Sequence, residues 1–446
     1  MKKKLAWLLA FPLFSPSLHA ADLMQVYRDA QANDPTFAAA RANLDAGQEK
    51  TAQGRAGLLP TLNASGNTTW NENKVGPHDA NLSKYQYNAN GYQLTLTQPI
   101  FRWQNWAAYT QSTLQTAQAE VSFAQAKQDL ILRVAQAYFD LLTASESLIA
   151  VRGNKEAIAQ QLELAKKSFE VGTATITDTH EAQARYDLAS AQEIAAASDL
   201  EVKQRTLQAI LGKEPGPLAQ WRKTAELSRP TPEAMNDWVS AAEKDSLAVQ
   251  IQRFNAEIAD REVSKQRAGH YPTVDLVANH GRGKSTSFSF VNNQTYNLDN
   301  EFTNAGIQVN IPLFAGGLTS SRTREASANR AAAEANLEAT KRNAALGARQ
   351  YYLGVANGLA QVKALKAAQV SSQSALESNK LGYEVGVRIN IDVLNAENQL
   401  YQTRRDLAKA TFDTVMAQLR LKAAVGSLDE ADLEQINALL DPSNAQ

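Results

Sequence analysis

Two periodicities of apolar and polar residues alternate along this chain. Over about 60–70, Leu62, Ala64, Gly66, Thr68 and Trp70 fall on one side, and Thr61, Asn63, Ser65, Asn67 and Thr69 on the other. That is the period of an extended strand. A second alternating segment, about 85–98, sets Tyr92, Leu94 and Leu96 against Gln93, Thr95 and Thr97. The pattern returns at about 272–280 with Val274, Leu276 and Ala278, and at about 302–311 with Ile307, Val309 and Ile311. Apolar against polar at period two is the signature of membrane-barrel strands. Residues 71–84 and 281–301, rich in Asn, Ser, Thr and Gly, read as polar loops joining each strand pair. Pro60, Pro99, Pro272 and Pro312 stand at the four strand-to-helix junctions, where a fixed φ and a missing N–H suit an abrupt bend.

Between the strand pairs the period changes to that of a helix. Leu114, Ala117, Val121, Ala124, Gln128, Ile131, Ala135, Tyr138, Leu142, Ser145 and Ile149 follow a 3-4 spacing without an intervening proline. The stripe changes phase near Gly153 and resumes with Val151, Ile158, Leu162, Ala165 and Phe169, which places a coiled-coil stutter there. A helix over about 103–169 would be roughly 100 Å long. After a Gly-containing turn, a helix at about 178–212 returns antiparallel to it. The second half repeats the scheme with helices at about 315–383 and 392–425.

The halves are copies at an offset of about 213 residues, too long for a solenoid repeat. RAGLLPTL at 55–62 reappears as RAGHYPTV at 267–274, and LTLTQPIF at 94–101 as IQVNIPLF at 307–314. FEVGTATITDT at 169–179 returns as YEVGVRINIDV at 383–393, and ILG at 210–212 as AVG at 424–426. The expected organisation is a leader at 1–20, a first repeat at 21–217, a linker or equatorial segment at 218–246, a second repeat at 247–426 and a polar tail at 427–446.

Composition narrows the class. Met1-Lys2-Lys3-Lys4, an apolar run from Leu5 to Phe14 and small residues at Ala20-Ala21 have the order of a secretory signal peptide. No later run is long and apolar enough for a spanning helix, so a membrane span must be made of strands. With no cysteine there is no disulfide, thiol nucleophile or lipid-modified Cys. A net charge of −1 and interspersed signs argue against nucleic acid as a partner.

Catalytic chemistry is missing from the sequence. Gly283-Lys284-Ser285 lacks the earlier glycine of a phosphate loop, which here is Ala278. His19, His78, His180, His270 and His280 show no paired ligand spacing. Asp429, Glu430 and Asp432 read as a solvated run in the tail. The expectation is a protein that is not an enzyme and needs no metal or cofactor. Trp103, Trp106 and Tyr271, near strand ends, suit an aromatic girdle or packing between strands and helices.

Four strands cannot close a barrel in lipid, so several chains must share one. The signal peptide, the duplicated strand-helix layout and the two VGxxxxxD turns together resemble the TolC family of outer-membrane efflux and type I secretion channels, over residues 21–430. The resemblance implies a mainly α fold with membrane β structure: a homotrimer with one twelve-stranded outer-membrane barrel in the lipid, continuous with a periplasmic coiled-coil tunnel. It implies a passive exit duct opened at its periplasmic tip by an adaptor (membrane fusion) protein and an inner-membrane ABC or proton-driven pump. The alternative is a periplasmic or membrane-associated coiled-coil structural protein without transport.

The family's adaptor-contact turns map onto Val171, Gly172 and Thr173 and onto Val385, Gly386 and Val387. Its closed-tip latch maps onto Asp178, Tyr383 and Arg388. Its acidic constriction ring maps onto Asp392, with Asn395 where a second ring residue is expected, a departure that implies altered cation selectivity. Physically, the turn glycines permit a left-handed backbone, and Asp178 and Asp392 suit capping of the next helix.

Overall fold

The computed structural model describes residues 21–76, 83–173, 175–222, 224–289 and 294–441. The leader at 1–20 and the positions of His19 and His78 lie outside the described residues. In chain order the elements are α1 (Leu23–Asn33), α2 (Pro35–Ala56), β1 (Thr61–Val75), β2 (Ser83–Phe101), α3 (Trp103–Glu170), α4 (Ile176–Leu211) and β3 (Gln220–Trp221). They continue with α5 (Met235–Asp245), α6 (Leu247–Arg267), β4 (Thr273–Ser289), β5 (Gln294–Asn310), α7 (Leu318–Glu384), α8 (Asn390–Ala424), α9 (Glu430–Asn437) and β6 (Leu440–Asp441). Among the described residues no helix is long and apolar enough to cross a membrane, which says nothing of a barrel.

The residues group into two units, of which one holds Arg41–Phe123 and Ala248–Arg342. Its centre is an antiparallel sheet in the order β1-β2-β4-β5. Register follows the alternation: Leu62 pairs with Leu96, Leu96 with Ala278 and Ala278 with Ala305 on one face. On the other, Asn63, Thr95, Asn279 and Asn304 align. There the Thr95 hydroxyl donates to Asn279 Oδ1 at 2.9 Å, and Asn279 Nδ2 donates to Asn304 Oδ1 at 3.0 Å. A one-residue slip would turn both sets over, so the contrast between faces specifies the register.

The strands are longer than the pattern predicts. Most of the expected loops 71–84 and 281–301 is strand: β1 runs on to Val75, and β4 and β5 come within a few residues of each other at Ser289 and Gln294. Residues 77–82 and 290–293 lie outside the described residues. Over 71–75 and 281–287 both faces are polar, and over 294–301 the alternation inverts, with Tyr296 and Leu298 on the face that carries Asn304, yet cross-strand pairs hold the register. Lys84 lies 3.0 Å from Glu72, and Arg282 grips Asp299 through Nε at 2.8 Å and a second nitrogen at 2.6 Å.

Pro99 also differs from expectation, since it lies inside β2, where the pairing with β4 shifts register between Pro99 and Phe101. The irregularity accommodates the missing N–H. Immediately after it, Arg102 forms a bidentate pair with the buried Asp275 of β4, both bonds at 2.7 Å. In the same unit α2 lies close against α3. A Cβ on Gly47 would sit 2.3 Å from Ala119 Cβ, and one on Gly54 would sit 2.0 Å from Ser112 Oγ. Thr51 and Thr116 hydroxyls bond at 2.8 Å between those two contacts.

The other unit takes the described residues up to Ala40, Ala124–Leu247 and those from Asn343 on. Trp238, Val239 and Ala242 of α5 pack with Ala345, Ala348 and Val355 of α7 and with Leu421 of α8. Phe139 stacks on Phe412 at 5.2 Å, and the Tyr138 hydroxyl donates to the Ala219 carbonyl at 2.8 Å. α3 is unbroken through Gly153. Below it Ile149 and Phe169, expected on the stripe, are exposed. Ile158, Leu162 and Ala165 are buried as the stripe predicts, and Ala150 and Asn154 extend the buried line in place of Ile149 and Val151, because α8 and α4 supply the partners Leu394, Ala189 and Ala182.

Clamping α3 to α4, Glu193 accepts from Arg152 Nε at 3.0 Å and from Lys155 Nζ at 2.9 Å. These bonds hold the Glu193 carboxyl below the usual range and raise the Lys155 ammonium.

The polar tail is a correction. Residues after Val425 build part of this unit's core: Leu433 is fully buried, with Ile436 and Leu440 also buried. Asp429 and Asp432 form a capping box at the start of α9. Asp432 is buried and paired with Lys422, and β6 pairs with β3. Leu433 and Ile436 share one face of α9 and Leu428 and Leu440 flank the helix, a pattern among acids too short to stand out by periodicity.

Replacing Leu433 with Ala is expected to destabilise this unit by about 2–5 kcal/mol, whereas the exposed Glu434→Ala stays within about 0.5 kcal/mol; urea unfolding followed by tryptophan fluorescence separates the two. For Glu193, the folded pKa lies below the unfolded one, so its contribution is present above the unfolded carboxylate value and lost as pH falls through the folded value. Hydrogen exchange of α4 amides should therefore accelerate at acid pH in the native protein beyond the ordinary pH trend, and already at neutral pH in Glu193→Gln.

Candidate functional site

The two turns that join long helices, 171–175 and 385–389, are built alike. At the end of α3 the Thr173 N–H donates to the Ser168 carbonyl at 2.8 Å and the Gly172 N–H to that of Phe169 at 3.0 Å. At the end of α7 the Val387 N–H donates to the Gly382 carbonyl at 2.8 Å and the Gly386 N–H to that of Tyr383 at 3.1 Å. Both are Schellman closures, which require a left-handed residue at one position. Gly172 and Gly386 hold it, with φ of 76° and 78°. A Cβ on either would meet nothing within 4 Å, so glycine is required by backbone conformation and not by crowding.

The helices that follow begin differently. Thr175 caps α4, its hydroxyl oxygen accepting from the Asp178 N–H at 3.3 Å. Asp178 Oδ2 in return accepts from the Thr175 N–H at 2.9 Å and from its hydroxyl at 2.8 Å. In the second repeat Ile389 occupies the cap and makes no side-chain bond. Asp392, at the position equivalent to Asp178, instead lies 3.7 Å from Arg388. Loss of one hydroxyl therefore leaves the second carboxylate free to pair elsewhere.

Asp178, Tyr383 and Arg388, the expected latch, line one cleft of about 850 Å³ together with Gln161, Lys380 and Asn390. Within the chain they do not bond to one another: among the described residues Asp178 is engaged by Thr175, and Arg388 by Asp392. Asn395 lies three residues after Asp392 on α8 and is exposed. Val171, Val385 and Val387 are each at least 65% exposed, and Gly172, Thr173 and Gly386 are exposed with them. The remaining histidines are dispersed, with His280 in β4 bonded to the Thr303 hydroxyl at 2.9 Å. Among the described residues no group of three or more His, Asp or Glu is placed to hold a metal ion.

Two contributors escaped the sequence reading. Thr175 is one, and its signal is a Thr three residues before Asp178, the spacing of a capping box. The other is Glu397, a buried carboxylate whose Oε1 lies 2.8 Å from Lys380 Nζ and whose Oε2 is buried without a hydrogen-bond partner. Its signal is a charge four residues after Val393 and three before Leu400, on the apolar stripe of α8.

Comparison with known proteins gives the family. The family described as "Outer membrane efflux protein" matches twice, over residues 26–213 and 238–427. The chain is 31% identical to outer membrane protein TolC of Vibrio cholerae over 442 residues, covering 98% of each. It is 30% identical to the proteases secretion protein PrtF of Dickeya chrysanthemi over 447 residues, 98% of this chain and 95% of that one. Its fold matches the crystal structure of the outer membrane protein VceC from Vibrio cholerae with a TM-score of 0.75 at 21% identity, covering 91% and 96% of the two chains. The chain therefore belongs to the outer membrane efflux protein family, its two matched segments being the two copies of the strand-pair and helical-hairpin repeat.

Proposed function

We propose that three copies of this chain form one passive exit duct of the outer membrane, serving an efflux or type I secretion system. Four strands from each copy complete a twelve-stranded barrel in outer-membrane lipid, and the long hairpins form a tunnel on the periplasmic side. The observation that carries the reading is the full-length match to relatives named as an outer membrane protein and a proteases secretion protein, by a chain whose four-stranded sheet has two open edges. A periplasmic adaptor docks on the hairpin turns at Val171–Thr173 and Val385–Val387, and an inner-membrane pump supplies the energy. A structural coiled-coil protein would have no use for a sheet with one apolar face.

At the tip, Asp178, Tyr383 and Arg388 form the closed-state latch. Supporting it is their shared cleft and the ability of Arg to hold a carboxylate bidentately. Because Arg388 rests on Asp392 within the chain, a docking partner that competes for either group shifts the balance between closed and open arrangements. Asp392 of three copies forms the constriction ring, and Asn395 leaves it without a second acidic layer.

Deleting the protein should raise drug susceptibility, remove a secreted protease from the medium, or both, and drug panels run beside a secretome comparison measure this. No change in either rejects the exit-duct reading. In planar bilayers Arg388→Ser is expected to raise single-channel conductance several-fold, with Tyr383→Phe acting in the same direction; unchanged conductance in both rejects the latch. Asp392→Asn should lower the cation preference read from reversal potentials, and an unaltered preference rejects the ring.

A further inference from the structure

Charge is distributed over the sheet in a way that solubility does not explain. On the polar face, the one described charged residue is Asp275, and it is buried and held by Arg102. Every exposed charged residue of the described strands stands on the apolar face instead. Along β1 that face reads Leu62, Ala64, Gly66, Thr68, Trp70 and then Glu72 and Lys74. On β4 it reads Leu276 and Ala278, then Arg282 and Lys284. Lys84 of β2 and Asp299 and Glu301 of β5 share this face by register, opposite Lys74, Lys284 and Arg282.

A charged side chain facing hydrocarbon costs about 2–4 kcal/mol for Arg or Lys at mid-depth and falls to about 0–1 kcal/mol at the interface. The order along each strand obeys that gradient, with apolar residues near the helix-bearing end and charges near the hairpin tips. Trp70, 82% exposed, marks the changeover on β1, as an interfacial aromatic does. The boundary runs obliquely to the strands, as a level one does on strands tilted by about 35–45°. The charges therefore stand at headgroup depth, facing lipid.

Their arrangement favours an anion. Lys74 and Lys84 lie directly opposite each other, a destabilising pairing unless something neutralises it. Glu72 pairs with Lys84 at 3.0 Å, and no carboxylate among the described residues pairs with Lys74. Arg282 and Lys284 both turn to Asp299, the lysine at 3.9 Å. Four cations thus share three carboxylates on this face.

We propose that this rim is a binding belt for the phosphate headgroups of outer-leaflet lipid, with Lys74, Lys84, Arg282 and Lys284 as its ligands. The belt rests on the exit-duct reading, which puts the hairpin tips on the exterior side. Purified trimers would be mixed in detergent with a bis-phosphorylated glycolipid and with phosphatidylcholine, and retained lipid counted by native mass spectrometry at low and high salt. The native protein should retain the glycolipid in excess, less so at high salt. The double variants Lys74→Gln/Lys84→Gln and Arg282→Gln/Lys284→Gln should each lower retention several-fold, with conductance and ion preference unchanged. Asp299→Asn/Glu301→Gln, which keeps every cation, should raise retention and guards against a folding defect in the cation variants. Equal retention by all forms overturns the belt. So does a change of ion preference at unchanged retention, which would put the cations in the lumen. A native protein that forms no conducting trimer overturns the exit-duct reading itself, and the belt with it.

Discussion

The open edges of the four-stranded sheet are the constraint on which the rest of this protein depends. β1 and β5 end the order β1-β2-β4-β5, and each presents a row of backbone groups without a partner in the chain. In hydrocarbon each such group costs several kcal/mol, so the sheet is stable there only when other copies satisfy both edges. Duplication answers the same demand. Two strand pairs join through β2 and β4 into one sheet, and each pair brings a helical hairpin with it. A chain that must assemble through its strands also exposes apolar helix surface, as at Leu346, Leu353 and Val370 of α7, awaiting neighbours.

Copies need not remain equivalent, and the turns show how little is needed to separate them. Both keep the Schellman glycine, because no other residue adopts that backbone at comparable cost. Thr175 against Ile389 then decides what the following carboxylate does. Asp178 is absorbed into its own helix cap, while Asp392 faces Arg388. The first hairpin is thus closed upon itself locally, and the second keeps an ion pair that a partner can contest. Lys380 and the buried Glu397 join α7 to α8 near it, so the two helices of that hairpin are tied by a charge pair in an apolar seam.

The sheet separates its duties by face. The polar face carries Asn, Gln, Ser and Thr in hydrogen-bonded rows, suited to a wet lining without fixed exposed charge. The apolar face meets lipid, and beyond the apolar band it carries all the exposed charge of the described strands. A duct built this way keeps its barrel wall free of exposed charge along the described polar face.

Much was legible in the sequence by itself: four strands, two long hairpins, the duplication and the glycine turns. Each rests on a local rule, a period of two or of about 3.6, or a φ that only glycine tolerates. Tertiary structure decided where those rules fall silent. The strands continue through 71–75 and 281–289 although both faces there are polar, because backbone pairing and ion pairs such as Arg282–Asp299 do not need apolar alternation. Residues 428–440 join the core although they read as a charged tail, because Leu433 is buried where α9 meets α1 and β6 meets β3, elements distant in sequence. Asp178, Tyr383 and Arg388 were named from the chain, but only folding showed that they share a cleft while Asp178 bonds to Thr175 and Arg388 pairs with Asp392. Local periodicity determines which elements form; which of them pack together, as α9 does with α1 from the opposite end of the chain, only the tertiary structure decides, because that burial joins residues hundreds of positions apart.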